Sequence, residues 1–125
     1  MGSAPPPAIL VVDDDPGSLS IIGRSLESAG FTVVRAASAQ DALILAQPGA
    51  HDLIVSDVNM PGLRGPELIR RLRASGVSCP VLLVSGEGSY EALDESLHVP
   101  GATFLQKPFT TAELLRAVFE TLAPG

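Results

Sequence analysis

Five side chains in this sequence are suited to handling charge and phosphate, and each stands at or just past the end of a short apolar run. Asp13 and Asp14 follow Ala8-Ile9-Leu10-Val11-Val12, and Asp57 comes soon after Leu53-Ile54-Val55. Ser85 follows Val81-Leu82-Leu83-Val84, and Lys107 comes just after Thr103-Phe104-Leu105. Three clustered carboxylates repel one another, and the repulsion falls when a hard divalent cation or an ammonium joins them. Mg²⁺ suits such a group, because it takes a few protein oxygens and completes its octahedron with water or phosphate. A metal-held carboxylate beside a lysine and a hydroxyl is a constellation for phosphoryl transfer. The cations neutralise the moving oxygens, the hydroxyl donates to one of them, and a carboxylate oxygen attacks in line.

That chemistry requires the runs to end on one rim, so the elements between them matter. A further apolar run, Phe31-Thr32-Val33-Val34, makes five in all. The runs at Ala8, Leu53 and Val81 are continuously apolar, as parallel strands covered on both faces should be. Segments with helical spacing separate the runs. Asp15 suits an N-cap with Pro16 at the first helical position, Leu19, Ile22 and Leu26 form one stripe, and Gly30 supplies a stop. Ser38 with Asp41 caps a second helix through Leu45, ending before Pro48-Gly49. A third begins at Pro66, a less regular one spans Tyr90 to Leu97, and Thr110 with Glu113 forms a capping box for the last, Leu114 to Leu122. Strand and helix alternate five times. Right-handed crossovers turn that order into an α/β fold, a five-stranded doubly wound parallel sheet in a flavodoxin-like (βα)5 three-layer sandwich. In such sheets ligands sit beyond the carboxyl ends of the strands, where the reactive side chains fall.

Bulk properties narrow the alternatives. The 125 residues suit one domain, and 46% hydrophobic with 18% charged residues excludes wholesale disorder. No apolar run approaches the roughly 20 residues that span a bilayer, so no membrane insertion is expected. The opening Met1-Gly2-Ser3-Ala4-Pro5-Pro6-Pro7 lacks the charged and apolar regions of a signal peptide. Residues 1–7 read as a flexible Pro-rich tail, residues 8–122 as the domain, and residues 123–125 as a second tail. One cysteine, Cys79, gives no disulfide framework and points to a reducing, cytoplasmic setting. The net charge of −6 comes with no basic cluster, which argues against direct nucleic-acid binding.

Four segments carry a family resemblance: Ile9-Leu10-Val11-Val12-Asp13-Asp14-Asp15-Pro16, Val55-Ser56-Asp57-Val58-Asn59-Met60-Pro61-Gly62, Leu83-Val84-Ser85-Gly86, and Gly101-Ala102 through Lys107-Pro108-Phe109. In order and separation they resemble the signatures of response-regulator receiver domains in two-component and phosphorelay signalling, over about residues 8 to 122. The resemblance implies that Asp57 is the phosphoacceptor. It implies Mg²⁺ (with Mn²⁺ able to substitute) on Asp14, the Asp57 carboxylate and the Asn59 backbone carbonyl, with Asp13 acting mainly through a water. It further implies that Lys107 pairs with Asp57 and then with the phosphoryl group. Ser85 would bond a phosphoryl oxygen, Gly86 would offer its N–H, and Phe104 would be the switch aromatic. Asn59 and Glu87 hold the positions that tune acyl-phosphate lifetime, and their types resemble fast-dephosphorylating chemotaxis regulators. A cis bond is implied at Lys107-Pro108. Ser85 and Gly86 depart from a commoner Thr and Ala, and Pro100 should end the fourth helix early. The expected donor is a histidine kinase or a histidine phosphotransfer protein. The reader is an unknown downstream protein, and the chain is a monomer or a weak phosphorylation-linked dimer. The domain catalyses its own phosphorylation and dephosphorylation but is not a conventional enzyme.

Each residue also has a plainer reading. Asp13 and Asp14 could end a strand and cap a helix, yet Asp15 already suits the cap. Asp57, Ser85 and Lys107 singly could be a loop acid, a cap and a surface lysine. Phe104 suits a core aromatic as well as a switch, Glu87 a solvated charge, Asn59 a turn, and Leu19 the core. His51 and His98 lack a neighbouring ligand for a metal, Cys79 suits the core, and Arg70, Arg71 and Arg73 suit a solvated helix face. One alternative is a receiver excised from a hybrid histidine kinase or a multidomain regulator, acting as a phosphorelay intermediate. Another is an aspartyl-phosphate phosphatase of the haloacid-dehalogenase type, to which Asp57-Val58-Asn59 is loosely similar. Those enzymes need an acid where Asn59 stands. A flavodoxin-like cofactor binder would need a phosphate loop where the acids are.

Overall fold

The computed structural model describes residues 6–58, 60, 63–86 and 102–123. Nine elements follow one another: β1 (Ala8–Val12), α1 (Pro16–Ser28), β2 (Thr32–Ala36), α2 (Ala39–Leu45), β3 (Leu53–Asp57), α3 (Gly65–Ala74), β4 (Val81–Ser85), β5 (Ala102–Gln106) and α4 (Thr111–Leu122). The strands form one wholly parallel sheet in the order β2-β1-β3-β4-β5. Strand order reverses between β1 and β3, which is where an open α/β sheet leaves a crevice for its ligand. The expected helix between Tyr90 and Leu97 lies outside the described residues, as do Pro100 and His98.

Alternation along the strands sorts the core into two layers. Leu10, Val12, Ile54 and Leu83 face α2 and α3, where they meet Ala42, Leu68, Ile69 and Leu72. Ile9, Val11, Leu53, Val55, Leu82 and Val84 face the opposite layer and meet Ile22 and Leu26 of α1 with Leu114 and Val118 of α4. Each fully buried Leu, Ile or Val contributes roughly 1.5–3 kcal/mol of transfer free energy. The sheet is therefore held from both sides, which fixes the height of every strand end.

The helix ends follow the sequence closely. Asp15 caps α1 by accepting from the Ser18 N–H, and Gly30 beyond it has φ +97°, a conformation that a side chain would oppose. Ser38 accepts from the Asp41 N–H at α2. Thr110 and Glu113 form the complete capping box at α4. β3, β4 and β5 run one or two residues past their apolar runs, and β2 is shifted along the chain. Phe31 stands before β2, which continues through Arg35 to Ala36. β2 is an edge strand, so it tolerates the charged Arg35 that makes the run look shorter in sequence. α3 starts one residue earlier than its proline suggests, at Gly65.

Candidate functional site

The sheet brings the chemically capable side chains to one rim. One carboxylate oxygen from each of Asp13, Asp14 and Asp57 lies within 4.8 Å of the other two, at the crevice between β1 and β3. Asp15, though adjacent, is used elsewhere. Its Oδ2 accepts from the Ser18 N–H at 3.1 Å and from the Ser18 hydroxyl at 2.9 Å, and these bonds hold its carboxyl below the usual carboxylate range.

Asp13 is the most constrained acid, with 1% of its surface exposed. Its Oδ1 accepts from the Asp15 N–H at 2.9 Å, while its buried Oδ2 has no hydrogen-bond partner among the described residues. Burial is the largest influence on this carboxyl and pushes it up, against the pull of the Asp15 N–H and the Lys107 ammonium. An orphaned buried carboxylate oxygen costs free energy unless something positive meets it. Lys107 Nζ approaches that oxygen to 3.6 Å. Lys107 thus comes to the same acidic group in which the resemblance expects it to pair with Asp57. Three hard oxygen donors with one unsatisfied buried oxygen fit a Mg²⁺ ion, and Asp13, Asp14 and Asp57 are the residues that can hold it.

β4 and β5 supply the rest. Ser85 is 5% exposed at the end of β4, and its carbonyl accepts the Lys107 N–H at 2.7 Å, so lysine and serine are tied through the main chain. Asp57 pairs in register with Val84, the neighbour of Ser85, and the Val58 N–H donates to the Val84 carbonyl at 2.9 Å. A Cβ added to Gly86 would meet nothing within 4 Å among the described residues. Phe104, in register with Leu83, is partly buried and packs against the α2–α3 core layer. The Lys107-Pro108 bond is cis. Asn59 and Glu87 lie outside the described residues.

Several plainer readings hold. Leu19 packs against the α1–α4 core layer and Cys79 against the other. Arg70 and Arg71 are exposed and pair with Glu67 at 3.7 and 3.5 Å. His51 contacts the Leu45 carbonyl through Nε2 at 3.3 Å. Two residues around the acidic group carry no signal of their own in the sequence. Ser56, fully buried, donates its hydroxyl to the Asp57 carbonyl at 3.0 Å. Gly65 opens α3 against the same stretch of backbone.

A doubly wound parallel sheet whose switch-point crevice holds three carboxylates, a lysine and a serine defines a class of phosphate- and cation-handling domain. The comparisons place this chain within that class. The response regulator receiver domain family matches residues 9–119, and the chain belongs to that family. The probable transcriptional regulatory protein SilR of Salmonella typhimurium is 35% identical over 117 residues, covering 94% of this chain and 51% of that protein. The transcriptional regulatory protein FixJ of Bradyrhizobium diazoefficiens is 39% identical over 102 residues, covering 81% of this chain and 49% of its own length. The chain thus spans about half the length of these curated relatives. Among solved structures, the chemotaxis protein CheY4 of Vibrio cholerae superposes with a TM-score of 0.84 at 32% identity, covering 93% of this chain and 98% of that one. A CheY-like receiver domain protein of Methanospirillum hungatei gives 0.85 at 30%, covering 94% of each. Residues 9–119 are a signalling domain of the receiver type rather than a conventional enzyme, and family membership sets the phosphatase alternative for this domain aside. No helix among the described residues is long and apolar enough to cross a membrane.

Proposed function

We propose that Asp57 accepts a phosphoryl group from a phosphohistidine donor in a Mg²⁺-dependent reaction, and that the resulting change is read by another protein. The observation that carries this reading is the convergence of the Asp13, Asp14 and Asp57 carboxylates with Lys107 at the β1/β3 crevice. A carboxylate oxygen of Asp57 attacks phosphorus, the P–N bond to the donor imidazole breaks, and its electron pair leaves with the imidazole. Bound Mg²⁺ supplies positive charge to the transferring oxygens. Lys107 shares that task, pairing with Asp57 and then with the phosphoryl group. Ser85 and the Gly86 N–H donate to phosphoryl oxygens, and Phe104 follows the movement of Ser85. Hydrolysis reverses the state when water attacks phosphorus and the Asp57 carboxylate leaves.

A groove lined by Ser18, Ile21, Ile22, Pro108 and Phe109 opens beside Lys107 and offers a histidine kinase or phosphotransfer protein an apolar seat. Residues 8–122 form the working unit, with tails at 1–7 and 123–125, in a cytoplasmic setting and without direct nucleic-acid contact. Asn59 and Glu87 make the acyl phosphate short-lived, so persistence for many hours would refute that part. The same chemistry serves a stand-alone monomer, a weak phosphorylation-linked dimer, and a receiver that passes the group on within a hybrid kinase or longer regulator.

The test is incubation with acetyl phosphate and Mg²⁺ followed by intact mass. Wild type gains one phosphoryl group, and Asp57→Asn gains none. A folded wild type that gains no mass at saturating Mg²⁺ overturns the reading.

A further inference from the structure

We propose that Gly65, the first residue of α3, is a positioning residue for the phosphoacceptor: the absence of a side chain there lets the helix seat against the Asp57–Val58 backbone and hold the Asp57 carboxylate beside those of Asp13 and Asp14. The inference rests on the assignment of Asp57 as acceptor.

Gly65 is buried, and its space is closed mainly by main chain. A Cβ built on it would stand 2.7 Å from the Asp57 carbonyl oxygen, 3.0 Å from Val58 Cα and 3.2 Å from Leu83 Cδ2. The first distance is 0.7 Å short of the 3.4 Å at which ordinary contact begins. Only the Leu83 methyl can yield cheaply, because the other two atoms belong to a pinned backbone. The Gly65 N–H donates to the Val58 carbonyl at 2.8 Å, the Val58 N–H donates to the Val84 carbonyl at 2.9 Å, and the Ser56 hydroxyl donates to the Asp57 carbonyl at 3.0 Å. The peptide that carries Asp57 is thus bracketed by α3, β4 and its own strand. No positive φ is recorded for Gly65, so glycine is needed here for room rather than for backbone freedom.

A methyl group at residue 65 must push the helix off the strand end or push the Asp57 carbonyl away from the helix. Either movement, of order 0.7 Å, alters a carboxylate whose partners lie within 4.8 Å. Displacement on that scale at a reacting group costs on the order of 10- to 100-fold in rate. Leu72, also on α3 and buried but packed in the core layer, offers a control that loosens the helix without touching the Asp57 peptide.

The experiment compares wild type, Gly65→Ala and Leu72→Ala. Mg²⁺ affinity is read by calorimetry with the metal alone, phosphorylation by intact mass with acetyl phosphate, and folding by thermal denaturation. Gly65→Ala should weaken Mg²⁺ binding by about ten-fold and slow phosphorylation at saturating Mg²⁺ by about as much again. Leu72→Ala, with a lowered Tm, should leave both unchanged at temperatures where it is folded. A folded Gly65→Ala with wild-type affinity and rate overturns the proposal, as does an equal loss in Leu72→Ala.

Wild type alone gives a second test, which does not depend on the variant folding. If the α3 seat favours Mg²⁺ binding, Mg²⁺ must favour the seat by the same factor. The Gly65 amide should then exchange its hydrogen more slowly when Mg²⁺ is added, while the Ser75 amide at the far end of α3 does not change. An unchanged Gly65 amide overturns the proposal. If wild type takes no phosphoryl group, the acceptor assignment fails first, and the Mg²⁺ and exchange measurements still decide the geometry.

Discussion

Neutralising Asp13 should stabilise the protein without Mg²⁺ and destabilise it, relative to wild type, with Mg²⁺. The buried Asp13 carboxylate faces two other carboxylates with ligand oxygens within 4.8 Å and one ammonium at 3.6 Å. At an effective dielectric of about 20, each repulsion is worth at least about 3.5 kcal/mol and the attraction about 4.6 kcal/mol. Roughly 2 kcal/mol of repulsion is left, and the desolvation of a group that is 1% exposed adds to it. The exposure of Asp14 screens part of this, so Asp13→Asn should gain about 1–2 kcal/mol in chelator. The amide keeps the bond from the Asp15 N–H and brings a donor to the place of the orphaned Oδ2. For a domain of this size, that gain raises Tm by roughly 3–8 °C. Saturating Mg²⁺ should add about 2.7 kcal/mol to wild type at a hundred times its Kd, and much less to the variant. Urea denaturation of both proteins, in chelator and in Mg²⁺, checks the crossing. If Asp13→Asn is less stable than wild type in chelator, the three acids are not a repulsive group and the argument for a cation there fails.

Other expectations follow from particular contacts. Gly86→Ala, whose added methyl meets no atom of the described residues within 4 Å, should change stability by less than about 1 kcal/mol by urea melts and slow loss of the acyl phosphate by narrowing access to it. Thr110→Ala breaks the capping box of α4 and should cost about 1 kcal/mol in the same melts. The Glu27 carboxyl is held below the usual carboxylate range by its hydrogen bonds with Arg35, so this pair supports the fold above the ordinary Glu pKa and loses that support as pH falls through the lowered one. An NMR titration of Glu27 should return to the ordinary range in Arg35→Gln. It should do the same in Gly23→Ala, whose methyl would run into the Arg35 guanidinium; an unchanged Glu27 titration in both removes Arg35 as the cause.

Much of this fold is written in local signals. The caps at Asp15, Ser38 and Thr110 need only neighbours within three residues, and the continuous apolarity of β1, β3 and β4 marks them as interior strands. Signals weaken where position in the sheet overrides composition. Arg35 belongs to β2 because an edge strand can turn a charge to solvent, and β3 runs through Ser56 to Asp57 because its ladder to β4 continues under the polar side chains. At the site, the residue types at strand ends identify Asp13, Asp14, Asp57, Ser85 and Lys107. What they do to one another is not legible. The pairing of Lys107 with Asp13 spans most of the chain, the orphaned Asp13 oxygen depends on burial, and the need for glycine at residue 65 depends on a backbone seven residues away.

β5 divides its side chains between the two core layers as the other strands do. Phe104 belongs to the layer beneath α2 and α3, while its neighbour Leu105 belongs to the layer beneath α1 and α4. The sheet thus acts as a septum, and among the described residues the two layers share no buried residue. Substitutions in one layer should therefore be nearly additive with substitutions in the other. Such separability lets one helical layer diversify toward new partners while the other keeps its packing. Lys107, two residues past Leu105, ties both histories to the same rim.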